Sequence, residues 1–149
     1  MMIEDSVDNF ILNYKTYAAE IEILPKIEGS TLVEAIALNK VFHFFERTGP
    51  YDSKLGKARA ILNLMIKEIH SNAIKVKALS VTGISELKVE GLVLEREQKT
   101  IILDAGIPLV VTSFQDIPEE VIAGEWIGVS SLAPIHGFVL AEPKARPLY

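Results

Sequence analysis

The residues of this chain best suited to chemistry are three histidines, a few acidic pairs, one Gly-Lys step and a set of lysines near the single tryptophan. His43, His70 and His136 have no second His and no carboxylate at a metal-binding spacing, and zinc needs three or four converging ligands. No metal site is expected from them. Gly56-Lys57 fails the phosphate-loop pattern, because Tyr51 stands where the first Gly is required and Ala58 replaces the Ser or Thr. Glu119 and Glu120 would point about 100° apart on a helix, so they cannot flank one bond. Glu95 and Glu97 share a face at a solvated turn, whereas general acid/base work needs a desolvated carboxyl. The serines lack the context of a nucleophile elbow. Asp104 and His136 are left as candidate polar groups of a pocket. Single-strand nucleic-acid binding uses aromatic platforms beside Lys or Arg. Here the candidates are Lys75, Lys77, Lys88, Arg96, Lys99 and Trp126. No catalytic residue and no cofactor are expected.

Composition bounds these choices. The chain has 149 residues, 49% hydrophobic and 23% charged, enough to bury a core within one compact domain or two small modules. Its net charge of −5 is shared nearly evenly by the two halves. That balance disfavours a general polyanion surface, although a local basic strip remains compatible with it. There are no cysteines, which excludes disulfide and thiolate chemistry. No apolar run approaches the roughly 18 residues that span a bilayer. The acidic start, Met-Met-Ile-Glu-Asp-Ser, lacks the basic region of a secretory leader. A soluble, cytoplasmic protein is expected, without a membrane partner. The two glutamines, Gln98 and Gln115, and the abundant Ile lean toward a thermophilic source.

The elements that would position these residues change character near Asn72. Before it, apolar residues recur at helical spacing. Val7, Phe10, Ile11, Tyr14, Ala18 and Ile21 make one stripe, which predicts a helix over 5–21, capped by Asp5, Ser6 or Asp8 and stopped by Pro25. The alternation of Ile21 and Ile23 also fits a short extended piece. Ser30 and Thr31 precede Leu32, with Glu34 following, as in a capping box. A second helix over 32–47 is expected, apolar nearly all round, ended by Thr48-Gly49-Pro50. Leu55, Ala58, Leu62, Met65 and Ile69 predict a third helix, starting near Ser53 and ending around residues 70–72.

After Asn72 the apolar residues alternate in short runs broken by Gly, Pro and Asp. Strands are expected over 74–82, 86–96, 100–103 and 107–114, with Gly91 as a bend and Asp104-Ala105-Gly106 as a turn. Asp116, Pro118, Glu119 and Glu120 predict a short helix over 116–122. Two further strands, 125–130 and 135–141, flank Pro134. The tail, 143–149, reads as extended.

Three meandering strands, a short helix and two strands resemble an OB-fold, the small five-stranded barrel. The resemblance covers about residues 75–141. It rests on Val89-Glu-Gly-Leu-Val, Ile101-Ile-Leu-Asp-Ala-Gly, Gly124-Glu-Trp-Ile-Gly-Val and His136-Gly-Phe-Val-Leu, which look similar to the replication protein A and telomere-capping branches.

The expected architecture is therefore α+β: a helical module over 1–72, a small, mostly antiparallel OB-like β-barrel with one short helix over 73–142, and the tail. The expected function is a non-enzymatic interaction or assembly subunit. Its candidate interface is Leu38, Val41, Phe42 and Phe45, which would seed a homo-oligomer or receive a protein partner. One alternative is a single-stranded DNA or RNA binder. Another is a small-molecule-binding protein or enzyme with a pocket between helices and barrel.

Overall fold

The computed structural model describes residues 6–48 and 55–140. It corrects the expectation of three N-terminal helices beside a small barrel. One short α-helix and nine strands in a single mixed sheet form the described fold.

Helix α1, Val7–Tyr14, begins where the Ser6 hydroxyl accepts from the Asn9 amide at 3.2 Å. A 3-10 turn, Lys15–Tyr17, leads into β1, Ala19–Ile23. The predicted second helix is instead a hairpin of β2, Val33–Ala37, and β3, Lys40–Glu46. Its two turn residues, Leu38 and Asn39, have φ of 50° and 61°, which suits a two-residue hairpin loop and breaks any helix. Along β3, Phe42 and Phe44 are buried while Val41 and Phe45 are exposed, a period of two. The predicted third helix is β4, Gly56–Ser71. Ile61, Leu62, Asn63 and Leu64 are all buried there, because both faces of the strand are covered. Such a continuous apolar run satisfies the helical template by accident. The stop at Gly49-Pro50, the start near Ser53, the Asp5 cap and the 143–149 tail lie outside the described residues.

The second half follows its pattern more closely. It contains β5, Ala78–Gly83, β6, Glu86–Glu97, β7, Thr100–Asp104, and β8, Pro108–Thr112. No helix forms over 116–122. That segment is turns that insert Ile117 and Val121 into the core. The two expected last strands are one, β9, Trp126–Val139. Pro134 falls in the register irregularity between the pairs Asn63–His136 and Met65–Leu132, where a missing donor is tolerated.

The pairings close two circuits that share β4 and β9. One runs β1–β2–β3–β9–β4 and back to β1, with β3 and β9 parallel. The other runs β4–β8–β7–β6–β9 and back to β4, with β4 and β8 parallel. The second circuit has the strand number of the resemblance, yet it draws β4 from the half expected to be helical. Ile21, Ala35, Phe42, Phe44 and Leu62 pack with Leu87, Val89, Leu103, Leu109 and Val129 in one core cluster. Full burial of each large apolar side chain contributes about 1.5–3 kcal/mol. A smaller cluster lies outside the sheet, where α1 covers Ile61, Ile102, Val110 and Phe138. Phe10 stacks on Phe138 with ring centroids 4.2 Å apart, and the Tyr17 hydroxyl donates to the Glu95 carboxylate. No helix among the described residues is long and apolar enough to cross a membrane.

Candidate functional site

The basic residues picked from the sequence do not assemble into one strip. Arg96 turns inward and donates to the backbone carbonyls of Ile117 and Val121, each at 2.9 Å. Lys99 lies 3.9 Å from Asp116. Lys77 pairs with Asp104 at 2.7 Å. Lys88 is exposed on the outer face of β6. Lys75 and Trp126 do border the same cleft. They line a cleft of about 330 Å³ with Asn72 and Glu125. Asn72 holds the shape of that cleft, since its side-chain amide donates to the Val76 carbonyl at 2.9 Å.

The Asp104 carboxyl is held below its ordinary value, first by the hydrogen bond from Lys77, while burial opposes and the Gly106 amide assists. A group whose folded value is depressed contributes stability above its unfolded value and loses it as pH falls through the folded value. Lys77→Met is expected to cost less than about 1 kcal/mol at pH 7, because the pair is partly exposed. Its difference from the wild type should vanish in urea melts run below the folded value of Asp104. A difference that persists at acid pH would assign the effect to something other than this pair.

Asp104 and His136 are not brought together. Asp104 ends β7 at the turn before β8. His136 sits on β9 opposite Asn63, with its ring 5.9 Å from that of Phe45. Neither lines the cleft at Trp126 or the larger groove described below.

The four apolar candidates divide. Phe42 is 1% exposed and belongs to the core, so it cannot serve as interface. Leu38 and Val41 are each 45% exposed and Phe45 39%. Val41 pairs with Ile36 across the hairpin. His43, between Val41 and Phe45, is 3.1 Å from the Glu34 carboxylate on the same ladder.

Two arrangements were missed by the sequence reading. On the outer face of β9 and β4, the His70 Nε2 is 2.6 Å from the Ser130 hydroxyl. Glu68 approaches the same nitrogen at 3.9 Å, so it does not orient the ring from the far side as a triad acid would. The two residues are 60 positions apart, and no local spacing links them. The second is a groove of about 700 Å³ lined by β1, the end of β2, the Leu38-Asn39 turn and β4. Its only sequence trace is the alternation of Glu20 and Glu22 with Ile21 and Ile23. Among the described residues, no cluster of His, Asp or Glu is arranged to hold a metal ion.

Compared with known proteins, the chain matches no protein-family model, no curated protein and no solved structure.

Proposed function

We propose that this protein is a non-enzymatic interaction or assembly module that docks a protein partner, or a second copy of itself, on the outer face of its β2–β3 hairpin. The observation that supports this reading is the contrast between outward positions. On β1 they are Glu20 and Glu22, and on β6 they include Lys88 and Glu90; on the hairpin Val41 and Phe45 are exposed beside Ile36, with the Glu34–His43 pair between them, and Leu38 is exposed at the turn. Apolar side chains grouped on one exposed face are the usual mark of a contact surface. Ile84, 75% exposed, adds to the margin of this face. It neighbours Ser85, whose hydroxyl donates to the His43 carbonyl and accepts from the Ile135 amide, each at 2.8 Å. A cytoplasmic setting belongs to the proposal, and the cysteine-free composition is compatible with it.

Light scattering across a concentration series tests the idea. Wild-type protein should self-associate or bind a hydrophobic dye, and Val41→Glu with Phe45→Glu should abolish both without lowering the melting temperature by more than a few degrees. A monodisperse wild-type monomer that binds no dye would count against the hairpin face. A second reading, single-strand nucleic-acid binding, is favoured by the shared cleft of Lys75 and Trp126. Quenching of Trp126 by an oligonucleotide at low salt, relieved at high salt, would support it; no quenching at low salt would end it.

A further inference from the structure

The groove beside β1 arises where a ladder stops early. The Leu24 amide donates to the Glu34 carbonyl at 2.9 Å, so even-numbered residues here direct their backbone groups toward β2. Glu22 faces Ile36 in the next such pair. Glu20 would follow, opposite Leu38, but the β1–β2 pairing ends at Glu22. On its other side β1 continues to pair with β4 through to Ala19. The N–H and C=O of Glu20 are therefore left facing a widening slot, and open backbone groups of this kind favour a polar occupant.

The walls of the slot carry both charges and apolar surface. Glu20 lies across from Arg59, and Glu22 from Lys57. Neither pair closes to ion-pair distance among the described residues. The Arg59 guanidinium reaches instead toward the Lys15 carbonyl, at 3.4 Å. One lip of the slot is thus a row of carboxylates backed by a row of cations, about 4.8 Å away at the spacing of adjacent strands. The other lip is Ile36, Ala37 and Leu38. Leu38 has the left-handed backbone of the two-residue turn, with φ of 50°, and its side chain packs on Gly106, where an added Cβ would lie 3.0 Å from a Leu38 methyl. This contact holds the apolar lip in place.

We propose that this groove binds a small zwitterion, a free amino acid or a short peptide with an apolar side chain. The ammonium would take Glu20 and Glu22, the carboxylate Lys57 and Arg59, and the side chain the Ile36–Leu38 lip. Balanced opposite charges one strand apart match the two ends of such a molecule better than they match a simple anion or cation. The volume of about 700 Å³ falls in the range of ordinary ligand pockets. The groove shares Leu38 with the proposed docking face, whereas Val41 and Phe45 lie outside its lining, so the Val41→Glu and Phe45→Glu variants test the docking face separately.

Amide chemical-shift titration of the full chain tests it, with leucyl-leucine as the probe. Shifts are expected at Glu20, Ala37, Leu38 and Ala58. N-acetyl-leucyl-leucine, which lacks the ammonium, and leucyl-leucinamide, which lacks the carboxylate, should each bind about tenfold or more weaker. Glu20→Gln with Glu22→Gln should erase the preference for the free ammonium. Lys57→Met with Arg59→Met should erase the preference for the carboxylate. All four side chains lie at the surface, and unchanged melting curves confirm folding. Equal binding of the three probes, or no shift at these amides with leucyl-leucine, overturns the proposal.

Discussion

Gly91→Ala is expected to lower the stability of this protein by about 3 kcal/mol or more. Gly91 is buried on β6, and a Cβ there would lie 2.2 Å from the Asp104 carbonyl oxygen and 3.1 Å from the Ala105 Cα. Those are backbone atoms of the neighbouring turn, so no rotamer change relieves the contact. Either β6 or the 104–107 turn must move, and Ala105 and Ile107 in that turn are buried in the core. Urea melts would show the loss as a lower midpoint, with a fall of about 10 °C in melting temperature for a chain of this size. Gly83→Ala makes the control. Its nearest atom is the movable Glu86 carboxylate at 3.2 Å, and a change within about 1 kcal/mol is expected. Equal effects at the two sites would refute the close-approach account of Gly91.

Arg96→Met should cost about 2–3 kcal/mol. The guanidinium donates to Ile117 and Val121 carbonyls at 2.9 Å, to the Pro118 carbonyl, and through Nε to Gln98 at 3.1 Å. It ties a segment without regular structure to β6, and that segment places Ile117 and Val121, 4% and 5% exposed, over the core. Water can replace part of the loss because Arg96 is only half-buried, which keeps the figure near one or two charged hydrogen bonds. Arg96→Lys should recover less than half, since an ammonium cannot span the same carbonyls as a planar fork. Hydrogen exchange should show the amides of the 117–124 turns opening faster in both variants. If Arg96 were instead a nucleic-acid contact, the substitution would leave melting unchanged and weaken oligonucleotide binding.

Of the helix expected over 5–21, only Val7–Tyr14 forms, behind the Ser6 cap; the stripe runs on through Ile21 by chance, and that residue lies on β1. The β6, β7 and β8 meander was legible because its apolar runs are broken by the polar Gln98-Lys99 pair and by the Asp104-Ala105-Gly106 turn. The predictions over 32–47 and 53–71 failed for a physical reason common to both. Strands with apolar residues on both faces lose their period of two, and chance spacing then fits a helix. The β2–β3 turn gave little warning, since it is Leu-Asn rather than a Gly-containing pair, and the two-residue loop sets the left-handed backbone of Leu38. Gly91 stands where β6 leaves β5 for β7, a switch its place in the pattern suggests, but its close approach to Asp104 depends on the folded sheet. Of the candidate contacts, Lys75 and Trp126 share a cleft, but Lys77, Arg96 and Lys99 are engaged internally. Nothing local in the sequence separates those two groups.

Composition and turn chemistry were enough to establish a cysteine-free chain with material for a sizeable core, the start of a first helix and an Asp-Ala-Gly turn between two strands. These properties depend on residues a few positions apart, whose hydrogen bonds and backbone angles are decided locally. The choice of strand over helix for β3 and β4 required their partners. Helical hydrogen bonds close within one turn, whereas the groups of β4 bond to β1, β8 and β9 from both ends of the chain. The same long-range pairing made β4 and β9 common to two circuits, turned Phe42 inward and Val41 and Phe45 outward, and ended the β1–β2 ladder at Glu22. The chemical residues were visible from the start; which of them face water together was set by strand register across the folded sheet.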